Sequence, residues 1–118
     1  MTLLINILIG IIALLHIYFL VLEMFFWDKP KGLKTFGHTL ESATASKTLA
    51  MNQGLYNGFL SAGLIWGLYL GGAGTSIKIF FLACVLVAGI FGGLTASRKI
   101  LFIQALPAAI ALALVILN

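Results

Sequence analysis

Carboxamides crowd the stretch Met51–Leu60, MNQGLYNGFL, at the head of a run that stays apolar as far as Leu70. Asn52, Gln53 and Asn57, with Tyr56 among them, bring hydrogen-bonding atoms into sequence that otherwise suits hydrocarbon. A bare amide moved from water into an apolar medium costs roughly 2–7 kcal/mol, so these groups must find partners or a ligand. Glu23 is the one acid inside any apolar run, and His16 stands seven residues before it, near the same helical face. An intramembrane acid is a candidate functional group by default, able to pair with a cation, and a histidine stacked with it could relay protons. Plainer readings stand beside these. Glu23 is close enough to Trp27 to reach headgroups, the amides can be interhelical glue worth about 0.6 kcal/mol per contact, and His16 can be a packing residue.

The elements that must position these groups follow from composition. Of 118 residues, 62% are hydrophobic and 8% charged, and mean hydropathy is +1.16, whereas soluble domains carry roughly 25% charged residues. A bilayer core about 30 Å thick needs about 20 helical residues. Four such runs fill the chain: 3–27, 51–70, 77–96 and 100–117. The expected fold is a single all-α membrane domain of four transmembrane helices. The first run has no preceding bases and no small-x-small cleavage site, so it reads as a retained helix. Cys84, the single cysteine, lies inside the third run and reads as a small packing residue.

Lys29, Lys31, Lys34 and Lys47 lie between the first two runs and Arg98 and Lys99 between the last two, leaving only Lys78 for the other side. Bases in short loops stay cytoplasmic, so both termini are expected outside. The net charge of +4 then needs no nucleic-acid partner, because these bases meet anionic lipid headgroups. The expected localisation is multi-pass in a bacterial cytoplasmic membrane.

Between Asp28 and Ala50, Pro30 and Gly32 are expected to stop the first helix. Leu33, Phe36 and Leu40 recur at helical spacing, which suggests a short interfacial helix. Ser42, Thr44 and Ser46 offer N-caps for a helix running into the second span. The glycine-rich turn 71–76 and the short turn 97–99 make successive spans antiparallel, giving an up-down bundle with one long cytoplasmic connection. Two small-residue stripes on span two, Gly54–Gly58–Ala62 and Gly63–Gly67–Gly71, imply two flanking helices, one of which could come from a second copy of the chain. Ala88, Gly92 and Ala96, with Gly89 and Gly93 beside them, mark the corresponding face of span three. A homo-oligomer is therefore expected.

Counted inward from the cytoplasmic ends at about 1.5 Å per residue, Glu23, Asn57, Thr95 and Gln104 fall near one level. Pro107 is expected to kink span four close to that depth. The expectation is a polar pocket in the cytoplasmic half, built by Glu23, Asn52, Gln53, Tyr56, Asn57 and Gln104, with His16 and Glu23 as a proton relay. No metal-ligand set, phosphate loop or activated nucleophile is recognisable, so neither a metal nor a cofactor is expected.

The segments HIYFLVLEMFFW, NQGLYNGFLSAGL, CVLVAGIFGGLTASRKIL and QALPA, in that order, resemble a family of small bacterial integral membrane proteins catalogued as domain of unknown function 1304. The resemblance implies a four-helix membrane fold and no established activity. Its residues include Glu23, Trp27, Asn52, Gly54, Tyr56, Asn57, Gly58, Gln104 and Pro107. NQGLYNGFLSAG also looks like the second helix of the membrane-associated eicosanoid and glutathione metabolism proteins, which are four-helix trimers. The arginine-rich run that would hold glutathione carboxylates is missing, with only Lys47 nearby. The leading expectation is a protein that binds or transports a small polar or amphipathic molecule. The alternatives are a membrane-embedded transferase and a structural or partner-binding subunit.

Overall fold

The computed structural model describes residues 1–118 and is all-helical, with no strand. Five α-helices follow in order: α1 (Thr2–Phe25), α2 (Pro30–Phe36), α3 (Leu40–Tyr69), α4 (Thr75–Thr95) and α5 (Leu106–Leu117). A 3₁₀ turn, Gly71–Gly74, leads into α4, and a π-helical turn, Leu101–Ala105, leads into α5. Two segments, Thr2–Phe25 and Gly71–Thr95, are long and apolar enough to cross a membrane. The amides of α3 dilute its apolar character, and the apolar helix Leu101–Leu117 is shorter than the two that qualify. The chain divides into two compact units, one of residues 1–14 with 60–118 and the other of residues 15–59.

The first unit is organised around one apolar core. Ile5, Ile9, Ile12 and Ala13 of α1 meet Leu64 of α3, Leu82 and Val85 of α4, and Ala108 and Ala111 of α5. The α1 residues recur at three- and four-residue steps, which puts them on one face. Ser61 Oγ donates to the Ala13 carbonyl at 2.8 Å, fastening α3 to α1. Glycines set how closely the helices approach. A Cβ on Gly63 would overlap Phe81, one on Gly74 would overlap the Gly67 carbonyl, and one on Gly89 would overlap the backbone of Ala105. Close backbone approach of this kind is how helices associate where lipid competes for apolar side chains. Both glycine stripes of α3 are therefore answered within the chain: Gly54 and Gly58 by α1, Gly63 and Gly67 by α4. Ala62, expected to extend the first stripe, is exposed, and the buried series runs through Ser61 instead.

The expected break near Pro107 takes the form of the π turn. The Leu106 N–H donates to the Leu101 carbonyl, five residues back. The register widens immediately before the proline, whose ring would clash with the carbonyl four residues earlier in a regular helix.

The second unit contains the end of α1, all of α2 and the first two-thirds of α3. α1 ends at Phe25, so Pro30 does not stop it; Pro30 instead opens α2 in the first turn, where its missing N–H is harmless. Gly32 lies within α2, where a Cβ would overlap the Phe26 carbonyl. The helical spacing of Leu33, Phe36 and Leu40 is divided between two helices. Gly37, at φ 70°, closes α2 in the left-handed conformation that glycine adopts without strain, and Leu40 begins α3. The N-cap of α3 is Thr39, whose Oγ1 accepts the Ser42 N–H at 3.1 Å. The three expected caps lie inside the helix, where the Thr44 and Ser46 hydroxyls donate to the carbonyls of Leu40 and Ser42, each at 2.8 Å.

Candidate functional site

On the inner face of α1, the buried positions continue from the core residues to His16 and Glu23. Glu23 is only 5% exposed, and Asn57 of α3 donates its Nδ2–H to Glu23 Oε1 in a short hydrogen bond. Glycine brings the two helices together here. A Cβ on Gly54 would meet Met24, Glu23 and the Leu20 carbonyl, and one on Gly58 would meet the Leu20 side chain. Gly54, Asn57, Gly58 and Ser61 fall at three- and four-residue steps, so one face of α3 carries both the close approach and the donor. The carboxamide supplies a proton without a counter-charge. Such a pair leaves the second carboxylate oxygen and the Asn57 carbonyl with acceptor capacity to spare.

His16 is fully buried, and its ring meets Phe19 edge-on at 5.5 Å. It shares the buried face with Glu23 but stands two turns away, a rise of about 10 Å, too far for direct proton transfer. Asn52 and Tyr56 are exposed on the side of α3 away from Gly54 and Asn57, and Gln53, four residues before Asn57, is exposed at the edge of the contact face. One residue step turns a helix by about 100°, which carries Asn52 and Tyr56 round to the far side and leaves Gln53 flanking the face that holds Gly54 and Asn57. Gln104 lies in the π turn, half-buried, and belongs to the other unit. Of the expected pocket residues, the structure therefore brings Glu23 and Asn57 into direct contact.

Next to this pair lies a clasp that sequence reading left unassembled. The Trp27 ring packs at 4.9 Å from Phe36 and 4.1 Å from His38, and Trp27 Nε1–H donates to Ser46 Oγ at 3.1 Å. Lys47 Nζ bonds Asp28 Oδ2 at 3.2 Å, the single ion pair in the structure. That hydrogen bond from Lys47 holds the Asp28 carboxyl below the usual aspartate range. The Trp27 indole N–H and ring thus tie the segment after α1 to α2 and α3.

In the first unit a second buried charge comes to light. Lys78, the one base that topology assigned to the outer side, is 6% exposed and donates from Nζ to Asn6 Oδ1 at 3.2 Å. Both residues lie in the opening turns of apolar helices, Asn6 in α1 and Lys78 in α4. That shared depth was the available signal, and counting only from the cytoplasmic ends passes over it.

The sequence pattern of the family described as protein of unknown function (DUF1304) matches residues 10–116. This chain belongs to the DUF1304 family. It is also 32% identical over 106 residues to an uncharacterized protein, YpaA, of Lactococcus lactis subsp. lactis strain IL1403, covering 88% of this chain and 89% of that one. No solved structure matches it. DUF1304 membership thus extends over both units, and neither description assigns an activity.

Proposed function

We propose that this DUF1304 protein is a four-span integral protein of a bacterial cytoplasmic membrane that binds or transports a small polar or amphipathic molecule at Glu23 and Asn57. The spans are α1, the latter part of α3, α4, and the π turn with α5, arranged up and down. The connection 28–50 is cytoplasmic and both termini are outside. Outward-facing apolar side chains support this reading, among them Ile7 and Leu14 of α1, Phe80 and Phe91 of α4, and Phe102 and Ile110 beside or within α5. A soluble protein would bury such helices, whereas lipid covers them. The six bases assigned to the cytoplasmic side are exposed, and Lys78 is withdrawn from the surface, which sharpens the positive-inside asymmetry.

The observation that carries the binding reading is the buried Glu23 carboxylate whose identified partner is a neutral amide. Within hydrocarbon such an acid has unused capacity for a cationic or hydrogen-donating ligand, with Asn57 orienting it. Carbodiimide labelling of Glu23 in proteoliposomes, with and without a panel of small organic cations, tests this. Protection by at least one cation, lost in Glu23→Gln together with its uptake, is expected. Uptake that persists undiminished in Glu23→Gln, or labelling that no compound slows, rejects the reading.

A second reading has its own support. Asn52, Gln53 and Tyr56 form an exposed polar strip on α3, and a second copy of the chain would relieve its contact with lipid. In this view Glu23–Asn57 is an internal fastening and the protein a partner-binding subunit. Disulfide trapping between Asn52→Cys copies in membranes, with Cys84→Ser as background, would favour it. The transferase alternative gains nothing from Lys47, which is engaged with Asp28.

A further inference from the structure

The ends of the helices in the first unit form an open cavity of about 310 Å³, lined by Thr2, Asn6, Thr75, Lys78 and Asn118, with Ile5 and Val115 as apolar wall and Gly71 and Gly72 leaving backbone bare. Its size is at the small end of ligand pockets. We infer that this cavity is a receptor for a small oxyanion group, a phosphate or carboxylate, with Lys78 as its counter-charge. The inference is separate from the Glu23 reading and concerns the opposite end of α1.

Lys78 carries the argument. Its ammonium has three donors, and its hydrogen-bond partner is the neutral Asn6 Oδ1 at 3.2 Å, longer than the roughly 2.7–2.9 Å of a charge-assisted bond to a carboxylate. The one ion pair of the protein is elsewhere, at Lys47–Asp28. An ammonium withdrawn from the surface without a negative partner is poorly compensated, and an anion in the cavity would supply that partner. The lysine is also held in place. A Cβ on Gly67 would collide with Lys78 Cγ, and Gly74 packs on the Gly67 carbonyl, so two glycines hold the stem against α3 at the cavity wall.

The surroundings add a donor and no acidic side chain. Thr2 Oγ1 accepts the Asn118 Nδ2–H at 3.4 Å, which leaves the Thr2 hydroxyl proton for a ligand. Thr75 spends its own proton on the Gly72 carbonyl at 3.1 Å. Ammonium, hydroxyl and exposed glycine backbone around a space of this volume suit a compact, multiply accepting anion. A lipid headgroup phosphate and a free phosphate or acetate share that chemistry.

Calorimetric titration of the purified chain in non-ionic detergent with sodium phosphate and with sodium acetate, against sodium chloride, tests the soluble source. Native mass spectrometry with phosphatidylglycerol against phosphatidylcholine tests the headgroup. Saturable binding of at least one anionic probe is expected, weakened at least tenfold in Lys78→Met, severalfold in Thr2→Val, and unchanged in the surface control Lys99→Met. Selective retention of phosphatidylglycerol assigns the headgroup, and phosphate or acetate binding without it assigns a soluble anion. Absence of saturable binding to folded wild-type protein overturns the inference, as does binding that survives in Lys78→Met. Should Lys78→Met fail to fold, undiminished binding in Thr2→Val has the same force. Either outcome leaves the labelling experiment at Glu23 unaffected.

Discussion

Glu23 and Lys78 are the two buried charged side chains of this protein, and each is hydrogen-bonded to an asparagine of another helix. The chemistry is alike and the setting is different. Asn57 is itself buried, in a face of α3 that Gly54 and Gly58 press onto α1. Asn6 is half-buried, and it lines a cavity together with the lysine it serves. A charge–amide pair closed in by glycine contacts also ties its two helices together, whereas one beside empty volume has less helix contact to lose. The difference therefore lies less in the pairs than in what the neighbouring glycines leave around them.

The comparison is most open to test by removing each amide. Asn57→Leu strips the partner from a buried acid in a closed contact, so a loss of about 3 kcal/mol is expected, read as a lowered unfolding midpoint in detergent titrations. Gly74→Ala, which forces a Cβ against the Gly67 carbonyl, is expected to cost about 2 kcal/mol and to weaken anion binding by displacing Lys78. Asn6→Leu should cost only about 1 kcal/mol, because water or an anion in the cavity can replace the lost acceptor. Equal losses in Asn57→Leu and Asn6→Leu would dissolve the distinction between the closed and the open setting.

The smallest effect belongs to the exposed pair beside Trp27. Asp28 has its folded pKa lowered by Lys47, so its contribution is complete above the ordinary aspartate range and disappears as pH falls through the lowered value. Thermal melts of wild type and Asp28→Asn should differ slightly at pH 7 and converge once pH has fallen below that lowered value. A difference that grows on acidification would contradict the assigned sign.

Much of the fold was legible in advance. Apolar runs located the four long helical segments to within a few residues at most ends, and the glycine steps on α3 foretold two flanking helices. The start of α3 was misjudged, because Thr39, Ser42, Thr44 and Ser46 are all competent caps and only the chain reversal at Gly37 selects among them. At the site, depth counting brought Glu23 and Asn57 together. It could not rank Asn52, Gln53 and Asn57, since a shared depth leaves rotation about the helix axis open.

By itself, then, the sequence determined the all-helical class, the apolar character of the long segments, and which connections carry the bases, because these depend on composition and on periods of three and four residues. Tertiary structure alone decided which amide meets the acid, that Trp27 ties the segment after α1 to α2 and α3, and that Lys78 is withdrawn beside a cavity. Those outcomes hang on where glycines allow backbones to approach within ångströms, and a linear pattern reports such distances only after the helices have been packed.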